Sequence, residues 1–537
     1  MKKMSFERCL TVLLTMSMLL SLFVGCKKSS AEISSARGES DQASAADSAD
    51  VSGAESAASS DLPASSINSK QPSAGNPNSK KYSVSVGFSA AEKPEFDKLI
   101  PVFQKKFPNI TVKPQQIDTS LYNITPKWTA LASAGKMPDV IIGSENFGYI
   151  MQQGWAYPLD KLLAADSDKT DVLETGLPRY TYNGRLYALP YRMQFNGLVL
   201  NVDLLNELNL KKPSYDWTID EFVSLAKKAT TDKYSGINIL DAVSSESPTR
   251  GMDVKLMNAM LPSGYEQFGY SISTHKFDLK QNNAWVTSQN LIKELKSEKG
   301  LVADELKNWD LRNQGKMDDY DKKFGKNADA YVSGKVLFGN SDSWRLSWWK
   351  SFKFKYDFYP IPTQKGISQR LQTHVDFVFM SSAVPEDRAE AAFKLVRFLS
   401  YDKDGCATRL QVSMDRYNNA DEVFELYVPA TTNRDIIAQF NKTPFPAGLK
   451  YMYEQVVKKP KQTLVADTDK IVPDFWLSLE QYRKQASEKI SAGTQPAALV
   501  NDLNTKVNNT MASTWKFLDK KLADNLEKFL KTHPSAR

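Results

Sequence analysis

Cysteine and histidine are scarce in this chain, with three of each among 537 residues. Of the three thiols, Cys9 would leave with a signal peptide and Cys26 would be acylated, and the lone Cys406 that remains excludes an internal disulfide framework and any multi-cysteine metal site. Three imidazoles, at His275, His374 and His533, cannot form a His-rich zinc site without carboxylate help, and no His-Glu-x-x-His occurs. Nucleotide and hydrolase signatures are also missing. There is no Walker-A loop and no Gly-x-Gly-x-x-Gly, and the run Gly339 to Ser343 ends in Ser where a nucleophile elbow needs Gly. Asp166-Ser167-Asp168 starts like a calcium loop. However, Asp171 occupies the sharp-turn position and Leu177 the place of the bidentate Glu, so it reads as a solvated loop. No cofactor or metal is implied. The net charge of +7, spread over the whole chain, argues against nucleic acid and against an acidic-membrane patch.

A long apolar run is absent too. Leu10 to Val24 follows Lys2, Lys3 and Arg8 but is shorter than the roughly 20 residues that span a bilayer, so 1–25 reads as a signal peptide. The run ends in Gly25-Cys26, which resembles a bacterial lipobox, with Phe23 where Leu is usual. Cys26 is then the acylated anchor; the alternative is an ordinary secretory cleavage site. Residues 27–80 hold 16 Ser and 11 Ala and no aromatic residue. Such a segment cannot bury enough apolar surface to offset its ordering entropy, so 26–80 reads as a disordered tether.

From residue 81 the pattern changes. Tyr82, Val84, Val86 and Phe88 alternate as a strand, Phe96 to Phe107 recur at helical spacing, and Ile110 to Val112 begin another strand. That is a βαβ unit, which needs a crossover and a parallel pair. A helix over Tyr122 to Ala134 closes at Gly135, and Val140 to Ile142 is an apolar strand. Asn183-Gly184 is a type I′ hairpin signal, and Thr218 with Glu221 forms a capping box. Trp217 reads as a packing residue, and Cys406 as a small hydrophobe in a packed helix.

Several of these stretches, taken in order, resemble the family 1 extracellular solute-binding proteins, the group that contains the maltodextrin-binding proteins. They are Ala130 to Ile141, Gly154 to Asp160, Tyr182 to Pro190, Gly197 to Leu205, Pro213 with Trp217 to Phe222, Gly334 to Phe338 with Trp344, Tyr359 to Pro362, and Ala389 to Leu399. The resemblance covers about 81–415; beyond it only helical patterning is visible. It implies an α/β, two-lobed periplasmic-binding-protein-like fold of class II, with mostly parallel sheets flanked by helices and a hinge between lobes. Lobe one would comprise 81–192 and 367–427, and lobe two 193–366 and 428–537. Tail helices such as Trp515 to Leu530 would pack on the second lobe or rim the cleft.

Sugars present apolar faces ringed by hydroxyls, so their sites combine aromatic platforms with polar side chains. The resemblance places such residues in five cleft segments: Ser89; Glu145, Asn146 and Phe147; Arg192, Gln194 and Asn196; Asp342 and Trp344; His374 and Asp376. Each has a structural alternative. Trp344 sits near Trp348 and Trp349 and could be core, Glu145 and Asn146 could cap a loop, Arg192 could pair with a carboxylate, and His374 could satisfy a backbone group. The expectation is a monomeric lipoprotein on the outer face of a Gram-positive membrane. It would pass an oligosaccharide to the permease subunits of an ABC transporter. A glycosidase, or a sugar-sensing lipoprotein not coupled to transport, are the competing readings.

Overall fold

The computed structural model describes residues 80–537 apart from 118–124, 241–250, 305–312, 315, 317–318, 327, 420–423 and 474. The signal peptide, Cys26 and all of the tether except Lys80 lie outside the described residues. So does the expected helix start at Tyr122.

Strand β1 (Tyr82–Ser89) buries Val84 and Val86 completely. Helix α1 (Lys93–Lys106) carries Phe96, Leu99 and Phe103 at helical spacing into the core. Strand β2 (Ile110–Ile117) returns parallel to β1, completing the βαβ unit. Helix α2 (Thr125–Ser133) is followed by Gly135, whose φ of +64° is the left-handed stop. Strand β3 (Val140–Gly143) is buried throughout and lies parallel on the other flank of β1, and α3 (Phe147–Gln153) follows it. The hairpin β4 (Thr181–Tyr182) and β5 (Arg185–Leu186) turns on Asn183 and Gly184, both at positive φ. It leads into β6 (Ala188–Asn201), 14 residues that are all buried.

Helix α4 (Ile219–Ala229) has both hydrogen bonds of the Thr218–Glu221 capping box. Trp217, just before it, is fully buried, and its indole N–H donates to Pro360 O at 2.9 Å. Strand β7 (Ser235–Ile237), helix α5 (Met252–Ala259), hairpin β8 (Tyr270–Ser271) and β9 (Lys276–Phe277), and helix α6 (Ala284–Ser297) follow. Strands β10 (Val336–Asp342), β11 (Tyr356–Pro360) and β12 (Leu371–Met380) then bring the chain back. Helices α7 (Glu386–Ser400) and α8 (Lys403–Asn418) come next, with Cys406 buried in α8 and its thiol pushed up to about 12 by burial.

Two sheets share one strand. From Ala188 to Phe195, β6 pairs antiparallel with β12, which itself lies antiparallel to β3. From Asn196 to Asn201, β6 lies between β10 and β11. The first sheet therefore runs β2-β1-β3-β12-β6, and the second β11-β6-β10-β7, with β7 parallel to β10. Both sheets are mixed. Parallel pairs occur where a helix can supply the crossover, as between β1 and β2. The centre is antiparallel because β6 leaves the first sheet in one direction and β12 re-enters it in the other.

Beyond residue 428 the chain serves both sheets. Strand β13 (Thr463–Val465) adds to β12 in parallel, and α9 (Thr468–Ile471) follows it. Helix α10 (Phe475–Ser491) and the 37-residue α11 (Pro496–Thr532) pack on each other. At 1.5 Å per residue α11 is roughly 55 Å long. No helix among the described residues is long and apolar enough to cross a membrane.

Candidate functional site

Alternation on two adjacent strands builds one polar wall. Arg192, Gln194 and Asn196 are every second residue of β6, and Gln372, His374 and Asp376 every second residue of β12. The register sets Asp376 beside Arg192 and His374 beside Gln194. All six are buried. His374 Nε2 lies 2.6 Å from Asn196 Oδ1, and the Asn196 amide donates to Gln372 Oε1 at 3.4 Å. Gln194 donates to Leu426 O at 2.6 Å and accepts from the Ser343 hydroxyl.

Arg192 is the electrostatic hub. Its Nε donates to Asp376 Oδ2 at 2.5 Å, and Nη2 pairs with Glu425 and, at 3.7 Å, with Glu92. One guanidinium cannot neutralise three carboxylates, and Glu92 and Asp376 shift in opposite directions. For Glu92, burial is the largest influence; it outweighs Arg192 and the Ser89 hydrogen bond and raises the carboxyl to about 7. For Asp376, burial opposes ionisation, but Arg192 and Lys470 together hold the carboxyl below its usual range. The Glu92–Arg192 ion pair alone would predict a lowered Glu92. Asp376 and Glu425 take closer positions on the same cation, so burial prevails.

Two buried lysines flank the hub. Lys470, from α9, places its ammonium 3.4 Å from Asp376 Oδ1 and 3.2 Å from Ser144 Oγ, at the end of β3. Glu145 is close enough for its charge to act on Lys470. Lys255, from α5, donates to Asp342 Oδ1 at 2.7 Å and to Asn340 Oδ1 at 2.8 Å at the end of β10. Trp344 stands edge-on to His374 with ring centroids 5.1 Å apart and is half-buried. Its neighbours divide: Trp349 is core, and Trp348 is 44 % exposed.

The sequence-predicted residues therefore fall into groups. Arg192 pairs with Asp376; Asn196 and Trp344 meet at His374, and Gln194 stands between them on the same face of β6. Asp342 lies opposite Asn196 in the register. Ser89 caps the turn after β1 and reaches the hub through its hydrogen bond to Glu92. Glu145 is half-exposed, and Asn146 is exposed at φ +60°, donating to Thr125 Oγ1 at 3.2 Å. Phe147 is elsewhere, fully buried and edge-on to Tyr180 and Phe377 in an aromatic core.

Sequence reading missed Glu92, Lys255, Gln372, Glu425 and Lys470. Gln372 was visible as the next member of the alternation that contains His374 and Asp376. Glu425 and Lys470 lie past the recognisable stretch, and no spacing links them to residue 192. The loop at Asp166 finds its cation within the protein: Arg397 donates to Asp166 at 2.8 Å and also pairs with Asp168 and Asp402. Among the described residues no group of three His, Cys, Asp or Glu side chains could hold a metal ion.

Solved structures share this architecture. An ABC substrate-binding protein from Listeria monocytogenes, in complex with cycloalternan, is 18% identical and has a TM-score of 0.55, over 81% of this chain and 100% of that one. A sugar transporter from Rhizobium etli in an open conformation gives 15% and 0.57, over 79% and 98%. A cyclo/maltodextrin-binding protein complexed with maltotetraose gives 16% and 0.55, over 81% and 99%. At these identities the likeness is one of fold, the two-lobed periplasmic-binding-protein-like fold. The sequence model of the bacterial extracellular solute-binding proteins matches residues 98–421, more than half of the chain, and with the shared two-sheet fold it makes this chain a member of that family.

Proposed function

We propose that the protein is the lipid-anchored extracellular binding component of an ABC importer and captures an oligosaccharide between two lobes. Lobe one is 81–192 with 367–427, and lobe two is 193–366 with 428–537. The observation that carries the reading is the polar wall of β6 and β12 beside Trp344. Amide, imidazole and carboxylate groups at fixed positions next to an indole complement the hydroxyls and apolar faces of a sugar. The complexes of relatives with cycloalternan and maltotetraose support the same ligand class. Ligand contacts are assigned to Ser89, Glu145, Asn146, Arg192, Gln194, Asn196, Asp342, Trp344, His374 and Asp376. Hinge closure would follow from contacts made only in the bound state. Cys26 would carry the lipid, 26–80 would tether a monomeric body to the outer face of the membrane, and permease subunits would receive the solute.

A glycan-active enzyme is the second reading, and one observation favours it. The hub contains a carboxyl raised to about 7, Glu92, near one held low, Asp376, the division an acid–base hydrolysis uses.

A thermal-shift screen of the full chain against neutral, acidic and amino oligosaccharides, with peptides as controls, tests both. A ligand at 100 times its Kd adds about 2.7 kcal/mol. Stabilisation by a glycan recovered intact supports the binding protein, whereas cleavage makes it an enzyme. Stabilisation by peptides alone removes the sugar assignment. Loss of uptake on deletion separates an importer component from a sensor.

A further inference from the structure

We propose that the C-terminal tail, residues 463–537, is a strap that passes from lobe one to lobe two and back and restrains their opening. The inference rests on the two lobes given above, 81–192 with 367–427 and 193–366 with 428–537, but takes 463–537 out of lobe two and attaches it to both. Its first attachment is to the first sheet, where β13 extends β12 and Lys470 reaches Ser144 and Asp376. The chain then crosses. Phe475 packs on Phe268 and Phe277, and Arg483 reaches Asp253 at 3.2 Å, all on the segment between β7 and β10. Helix α11 stays there for its first turns. Asn504 accepts from the Leu279 amide at 2.9 Å, and Asn508 both accepts from and donates to the Phe277 backbone at 2.8 Å.

The same unbroken helix then returns. Trp515 marks the passage, stacked on His275 of the β8–β9 hairpin at 3.5 Å and 6.3 Å from Tyr182 of the β4–β5 hairpin. Farther on, Asn525 donates to Met151 O and Gln152 O at 3.3 and 3.0 Å at the end of α3. Phe529 packs edge-on to Tyr157, and His533 Nε2 lies 2.9 Å from Val384 O.

Helix α3 is shaped for this contact. A Cβ on Gly148 would lie 2.6 Å from Pro473, and one on Gly154 2.7 Å from Asn525. Both glycines admit tail atoms that any other residue would displace. A hinge rotation that separates the lobes must either break one set of these contacts or bend a helix held at both ends. Opening is therefore coupled to release of the strap.

The test reads the interlobe distance without any ligand, so its failure leaves the sugar reading intact. In the full chain with Cys9 and Cys26 replaced by Ser, spin labels go on cysteines introduced at exposed Lys136 and Lys228; Cys406 is buried. Pulsed dipolar spectroscopy should give one narrow distance distribution. Asn525→Ala with Phe529→Ala should broaden it toward longer distances, and Asn504→Ala with Asn508→Ala, at the other anchor, should do the same. Phe517→Ala, at an exposed position on the same helix, should leave it unchanged. A pair of anchor variants that keep their circular dichroism and superimpose on the parent distribution would overturn the proposal. If the first pair fails to fold, the second pair decides.

Discussion

Arg192 and Asp376 face one another across the β6–β12 ladder, Nε to Oδ2 at 2.5 Å, with Glu425 and Glu92 on the far side of the same guanidinium. Removing the cation leaves buried Asp376 with Lys470 and buried Glu92 with Ser89, and takes the ion pair from Glu425. Arg192→Ala should cost about 3–5 kcal/mol, the usual penalty for breaking a buried pair. Arg192→Lys should recover only part of it, because a single ammonium cannot meet carboxylates from three directions. Denaturant unfolding of the three proteins measures both; equal stability of Arg192→Ala and wild type would remove the hub from the account.

Glu92 gives a pH dependence of definite sign. Its folded value of about 7 lies above the ordinary 4.5, so the folded state holds the proton more tightly than the unfolded one. Stability from this group is complete below the unfolded value and is lost as pH rises toward 7. The loss is on the order of 3 kcal/mol. Asp376 has the opposite sign, its contribution disappearing as pH falls below the ordinary 3.8 toward its lowered value. Glu92→Gln should flatten the decline between pH 4.5 and 7 while leaving the acid limb in place. Urea midpoints across that range, compared with wild type, supply the check.

Two tryptophans should separate stability from binding. Trp217 is fully buried against Phe222, Phe338 and Tyr359, so Trp217→Ala should cost about 3–5 kcal/mol in the unfolding free energy. Trp344 is half-buried beside His374. Trp344→Ala should change stability much less and weaken glycan binding by about 0.5–1.5 kcal/mol, up to roughly tenfold in Kd. Calorimetric titration with a glycan from the screen reads the second effect; unchanged affinity would return Trp344 to the packing residues.

Gly148 offers a test of packing that leaves the polar wall alone. An added methyl would sit 2.6 Å from Pro473 Cδ and 2.8 Å from its backbone nitrogen, which cannot move without shifting the chain. Gly148→Ala should lower stability by about 1–3 kcal/mol as an overpacked site. Thermal unfolding gives the number, and faster proteolysis within 463–537 should accompany it.

What could be read from the sequence follows the range of its physical signals. β1, α1 and β2, the hairpin at Asn183-Gly184 and the cap at Thr218 are encoded within a few residues of themselves, and each is present. The alternation of Arg192, Gln194 and Asn196 likewise marks one face of one strand. Distance along the chain is where inference stopped. Glu92, Arg192, Asp376, Glu425 and Lys470 converge on one charge cluster from five separate stretches of the chain, and only Arg192 and Asp376 lie on neighbouring strands. Phe147 shows the converse failure: a large aromatic next to a loop fits a platform and a core equally well, and burial among Tyr180, Phe377 and Phe379 decided between them. The mixed sheet order was hidden for a related reason, since strand direction at the centre depends on where distant β12 re-enters.

Strand β6 belongs to both sheets without a break, and this bears on how the molecule can be divided. A cut anywhere from 188 to 201 leaves each fragment with exposed ladder edges, a state prone to pairing with other chains. The body should therefore resist being expressed as separate halves. A circular permutant would tolerate new ends in a surface turn such as Asn183-Gly184, but not within β6.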